Sequence, residues 1–240
     1  MFTYLYALLT GMVFGSFFMV IAMRVPAGES IITPRSYCHY CKYTLKPKEL
    51  IPIISFCIQN GRCTNCKREI PIMYALFEFV TGSVFFLTVY VIGIERELII
   101  ILTLISLLLI ISVTDYMYML IPNRILIWFT FLLILECSFV PLVTWIDSLA
   151  GSGTIFILLY CMQRIYPDGL GGGDVKLLSL LGFIVGVKGV FITLFLASCF
   201  SLCFFGIGIA LKRIKIRTPI PFGPFISLGA ICYVLVTYAK

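Results

Sequence analysis

Long apolar runs, each close to the length of a bilayer crossing, alternate along this chain with short polar breaks. Eight such runs stand out, over residues 2–23, 73–93, 98–114, 124–142, 146–165, 175–187, 188–211 and 223–238. A helix needs about 20 mostly apolar residues to cross the hydrocarbon core. Helix is also the form in which a single segment satisfies all its own backbone groups there. The run at 175–187 is short and requires a tilted neighbour or a thinned bilayer. The pattern predicts an all-α polytopic membrane protein of about eight transmembrane helices, interrupted by one sizeable polar insertion at 24–72. By topology the chain divides into a first transmembrane helix (1–23), that insertion (24–72) and a transmembrane catalytic helical bundle (73–240).

Composition agrees with the pattern: 61% of residues are hydrophobic, 12% are charged, and the mean hydropathy is +1.08. The first run has no cation before it and is followed by Arg24, a charge order that predicts retention with the N-terminus outside. Alternating the spans from there puts 24–72, 115–123, 166–174 and 212–222 in the cytoplasm. Of 18 Lys and Arg, only Arg96, Lys188 and Lys240 then lie outside, as the positive-inside rule requires. The net charge of +7 thus reflects topology and anionic membrane lipid. No basic stripe interleaved with aromatics or nucleic-acid fold pattern speaks for nucleic-acid binding. The expected location is the cell membrane, multi-pass, with the insertion facing the cytoplasm.

Within the insertion stand "CHYC" and "CTNC", which set Cys38 and Cys41 against Cys63 and Cys66 across 21 intervening residues. Paired thiolates at this spacing grip the two sides of a tetrahedral Zn2+. A cytoplasmic loop is kept reduced, which disfavours disulfides, and so short a segment needs a metal to fold. Four cysteines leave no open coordination position, so the zinc is structural. His39 is expected to be a solvated neighbour and Cys57 a spare thiol. The cysteines of the apolar runs are expected to serve as small hydrophobes.

Chemistry is therefore sought among the acids at membrane depth: Glu78, Asp115, Glu136, Asp147, Asp168 and Asp174. An ionisable group there is costly and marks a candidate functional site. Asp115 closes the third run and Asp174 opens the sixth, so both reach the same membrane boundary. One ionised carboxylate can take a proton from water while its protonated partner polarises a peptide carbonyl. Taken singly, Asp174 reads as a helix N-cap and Asp115 as a helix-end acid, whereas Asp168 in "YPDGLG" reads as an Asx-turn. A helix N-terminus at Asp174 favours its negative charge, leaving Asp115 to carry the proton. Two other readings compete. A cation or proton-coupled transporter would use the same two acids, and a non-catalytic pilus-assembly scaffold built on the ribbon would need neither.

"GGGD" at 171–174 matches the GxGD signature of membrane aspartic proteases. With "GMVFGSFFMVIAMRVP" at 11–26, the two cysteine knuckles, "IPIISF" at 51–56, "REIPIMYALFEFVTG" at 68–82, "TDYMYMLIPN" at 114–123 and "PFGPF" at 221–225, the chain resembles the prepilin peptidases, or type IV leader peptidases. The resemblance implies Asp115 and Asp174 as the catalytic pair; Glu78, which matches an acid of the family pattern, either snorkels to the interface or holds the leader or the dyad, and Gly173, Gly223 and Pro224 are expected on the substrate side. It implies as substrates prepilins or pseudopilins, proteins of type IV pilus, secretion or competence systems, each with a short basic leader ending in glycine before one hydrophobic helix. It also implies, for many members, methylation of the new N-terminus from S-adenosylmethionine. Met19 departs from the asparagine usual in that pattern, and no Rossmann fingerprint is present. The free backbone groups around Gly223 are expected to pair with the extended cleavage segment.

Overall fold

A computed structural model describes residues 2–166, 169, 171–212 and 220–239. Helices dominate it: α1 (Phe2–Arg24), a short α2 (Ile54–Ile58), α3 (Met73–Ile92), α4 (Leu98–Tyr118), α5 (Asn123–Phe139), α6 (Trp145–Ile165), α7 (Gly172–Ala210) and α8 (Gly223–Thr237). Among the described residues, α1, α3, α4, α6 and α7 are long and apolar enough to cross a membrane, and no strand forms beyond two isolated bridges. Every apolar run expected from sequence lies in helix. The runs at 175–187 and 188–211 share α7, which Gly186 breaks at φ 75, ψ −178, a conformation that only glycine adopts readily. Asp147 on α6 completes the break: its Oδ1 accepts the N–H of Val187, 3.2 Å away, the first residue past the kink.

The chain falls into two compact units, Met1–Gly93 and Ile94–Lys240. α3, grouped above by topology with the later helices, packs on α1. These helices are apolar on every side, so small residues rather than amphipathic stripes select the contacts. A side chain at Gly11 would meet Gly82 Cα and Phe85 Cβ at 2.8 Å, and one at Gly15 would lie 3.0 Å from Glu78 Cα.

In the second unit α4 is the interior helix, with 72% of its most apolar stretch buried. It packs on α5 and α8, while α7 packs on α6 and α8. The α6–α7 crossing brings backbone against backbone at Gly151 and Gly182, where a Cβ on Gly182 would sit 2.6 Å from Gly151 O. Gly182→Val is expected to cost about 1–3 kcal/mol by overpacking, read as a lower denaturation midpoint of the purified protein. Gly153→Val, where a side chain meets open space, is expected to leave the midpoint unchanged.

Candidate active site and metal centre

Asp168 lies outside the described residues; the other five membrane-level acids can be placed. Three of them accept a single donor from a neighbouring segment. Glu78, 9% exposed, takes the Ile53 N–H on Oε2 at 2.9 Å. Glu136 on α5 takes the Thr103 hydroxyl of α4 at 2.9 Å, and Asp147 takes Val187 as described. The remaining two, Asp115 and Asp174, lie close enough to act on each other electrostatically.

Asp115 is 7% exposed in the last turn of α4. Met119, at φ 51, ends that helix with its N–H on Asp115 O at 2.8 Å, and the chain then passes Ile121 to begin α5 at Asn123. The start of α7 rests on this corner. Gly173 lies so near Ile121 that a Cβ would meet the isoleucine Cβ at 2.8 Å, and Lys176 Nζ donates to Asn123 Oδ1 at 2.9 Å. "GGGD" and "TDYMYMLIPN" therefore meet directly, which is how two residues 59 positions apart come level.

The third element is α8. Gly223, its first residue, donates its N–H to Asp115 Oδ2 at 2.7 Å in a buried bond. Ser227, one turn on, bonds Leu108 O of α4 at 2.9 Å and so locks α8 in register with α4. A Cβ at Gly223 would stand 2.9 Å from Asp115 Oδ2, so glycine is what admits the carboxylate. Pro224 follows in the first turn, where a missing N–H costs nothing. The N–H of Gly223, expected to be free for the cleavage segment, is instead committed to Asp115.

Asp174 differs in detail from the helix cap expected. Gly171 occupies the cap, and Asp174 stands at the third helical position with its carboxylate leaning back over Gly171, whose backbone it engages. Its Oδ1 is buried without a hydrogen-bond partner among the described residues. A buried orphan oxygen is costly and suits a group that must hold a proton or a reacting partner. Both carboxylates engage a backbone group, Asp115 that of Gly223 and Asp174 that of Gly171, and the pair is unequal in that Asp174 keeps a buried oxygen with no partner among the described residues.

In the first unit the two CxxC segments form matching knuckles. The bridge Tyr37↔Thr44 closes one and Arg62↔Glu69 the other, with Lys42 (φ 56) and Lys67 (φ 59) turning each chain just past its second cysteine. The four Sγ atoms lie within 4.8 Å of one another, with Cys38···Cys66 at 3.8 Å and Cys41···Cys63 at 3.9 Å. A tetrahedron with Zn–S bonds of about 2.3 Å has edges of about 3.8 Å, so the donor set suits that ion. The charges agree. The Tyr43 backbone N–H draws Cys41 down to about 6. Cys66 is pushed up to about 11: the Arg68 N–H lowers it, but burial and the other three sulfurs outweigh that. Four sulfurs so close could hold a metal ion, whose charge would favour the thiolate form of all four.

Among the described residues no strand leads into a glycine-rich turn, and Met19, 3% exposed in α1, offers no polar group.

Comparison with known proteins covers nearly the whole chain. Residues 9–92 match the bacterial peptidase A24 N-terminal domain and residues 102–207 the type IV leader peptidase family. A prepilin leader peptidase/N-methyltransferase of Bacillus subtilis (strain 168) is 40% identical over 92% of this chain and 89% of its own length. One of Klebsiella pneumoniae is 32% identical over 79% and 88%. The type 4 prepilin-like proteins leader peptide-processing enzyme of Escherichia coli O78:H11 is 30% identical over 92% and 89%. No solved structure matches the chain.

The cysteine geometry carries its own test. Elemental analysis of the purified protein is expected to find one thiophilic metal ion per chain, and Cys41→Ser with Cys63→Ser to abolish it.

Proposed function

The chain belongs to the type IV leader peptidase family, and we propose that Asp115 and Asp174 are the catalytic pair with which it removes the short basic leader from prepilins or pseudopilins. The observation that carries this reading is the unequal pair itself, held at one end of the helical unit by the corner of α4 and α5 and the first residue of α8. The active site and ribbon face the cytoplasm, in keeping with the distribution of cations.

Roles follow from the hydrogen bonds. A charged acceptor gains about 1.5–3 kcal/mol from a bond such as Gly223 N–H to Asp115. Asp174 engages the Gly171 backbone and a helix terminus, the latter worth about 0.3–1 kcal/mol, and keeps an unpartnered Oδ1 on which to carry a proton. In this proposal Asp115 is the base and Asp174 the acid, the opposite of the assignment expected from sequence. Asp115 takes a proton from water as the oxygen attacks the scissile carbonyl. Asp174, through its unpartnered Oδ1, donates to that carbonyl oxygen. Collapse of the tetrahedral intermediate breaks the C–N bond: the proton held on Asp115 passes to the departing amine, and Asp174 takes its proton back from the hydroxyl that re-forms the carbonyl. Glu78, Gly173, Gly223 and Pro224 stand on the substrate side in this proposal, Gly223 acting through Asp115 because its N–H is already engaged.

The four cysteines hold a structural Zn2+, which supplies folding energy to the ribbon and no chemistry. N-terminal methylation, carried in the names of the relatives, is read from the product's mass, which shows leader loss alone or leader loss with an added methyl group. The transporter and scaffold readings draw no support from relatives that process leader peptides.

Asp115→Asn and Asp174→Asn, each shown to insert normally, are expected to lower cleavage of a membrane-inserted prepilin by at least about 100-fold. Gly223→Ala, which crowds the bonded carboxylate, is expected to cost about 10–100-fold in kcat. Cleavage retained in either asparagine variant removes that aspartate from the mechanism and revives the transporter reading.

A further inference from the structure

The ribbon is tied to the membrane helices of its own unit at both ends. At one end Arg24, the last residue of α1, donates from Nη1 to Ser30 O at 3.1 Å and to Pro34 O at 2.7 Å. At the other, Glu78 accepts the N–H of Ile53. Ile53 is held at φ 59, ψ −50, and a β-branched residue at positive φ persists only where its surroundings impose it.

The second tie sets a depth. Glu78 stands five residues inside α3, which begins at Met73, and at 1.5 Å per residue that is about 7–8 Å along the helix. Interfacial helices lie with their apolar side about 5–10 Å into the boundary of headgroups and acyl chains. The backbone at Ile53 is therefore level with the second turn of α3, a helix long and apolar enough to cross a membrane.

Exposed isoleucines gather around the second tie: Ile51 is 43% exposed, Ile54 54% and Ile58 76%, with Ile72 at 69% just before the span, while Ile32 at 80% lies in the first tethered segment beside exposed Thr33 and Arg35. The exposed knuckle side chains are mostly polar or charged, among them Lys42, Thr64, Asn65, Lys67 and Arg68, with Tyr40 at 61% beside them. An exposed isoleucine row continuous with a spanning helix fits a bilayer better than water.

We propose that the ribbon lies on the membrane, its partner being the lipid leaflet that α1 and α3 enter, with Ile32, Ile54 and Ile58 in the acyl-chain boundary and the knuckles raised into water. Glu78 and Arg24 are positioning residues for this arrangement.

The test places a photo-crosslinking benzoylphenylalanine at position 54, 58 or 65 of the full chain, reconstituted in phosphatidylethanolamine–phosphatidylglycerol vesicles. Mass spectrometry then identifies the adducts, and metal content confirms that each ribbon has folded. Ile58, the most exposed of the row on α2, keeps the experiment readable where a probe at 54 disturbs packing. Lipid adducts at 54 and 58 well above those at 65 are expected. Adducts to protein at 54 and 58, whether to a second copy or to the other unit, overturn the proposal, as do lipid yields no higher than at 65.

Discussion

A carboxylate inside a bundle of apolar helices is tolerable only where something donates to it, and at Asp115 the donor is the first backbone N–H of α8. That bond explains much else at this end of the molecule. It requires glycine at 223, because a Cβ would press on the carboxylate. It requires α8 to keep its register, which Ser227 secures on Leu108 O. It also leaves α4 to turn sharply at Met119, so that Ile121 and Asn123 form the corner on which α7 starts.

The same constraint operates throughout the spanning helices. Asp147 accepts the N–H freed at the Gly186 kink, Glu136 accepts from Thr103, and Glu78 accepts from Ile53. In each case a membrane-level acid is matched to one donor on another segment, so these acids act as joints. Asp174 shares with Glu136 a buried oxygen that has no partner among the described residues, and differs from it in having a second carboxylate, Asp115, as its neighbour.

The ribbon answers the same problem outside the helices. A segment of this size has too little apolar surface to form a core, and two knuckles converging on four sulfurs supply the missing organisation. Both knuckles turn on a lysine in the left-handed conformation, a symmetry that the CxxC spacing alone does not reveal.

The amino-acid sequence by itself determined the helical class, the cysteine set and the family, because hydropathy, CxxC spacing and ordered motifs are local and are read without knowing what packs on what. Depth parity even paired Asp115 with Asp174. Tertiary structure alone decided how the acids are held. Their donors are mostly backbone N–H groups, which nearly every residue possesses and no motif marks, and they lie 25 positions away for Glu78, 40 for Asp147 and 108 for Asp115. That is why Gly223 read as a free backbone site when its N–H is engaged by Asp115 at 2.7 Å.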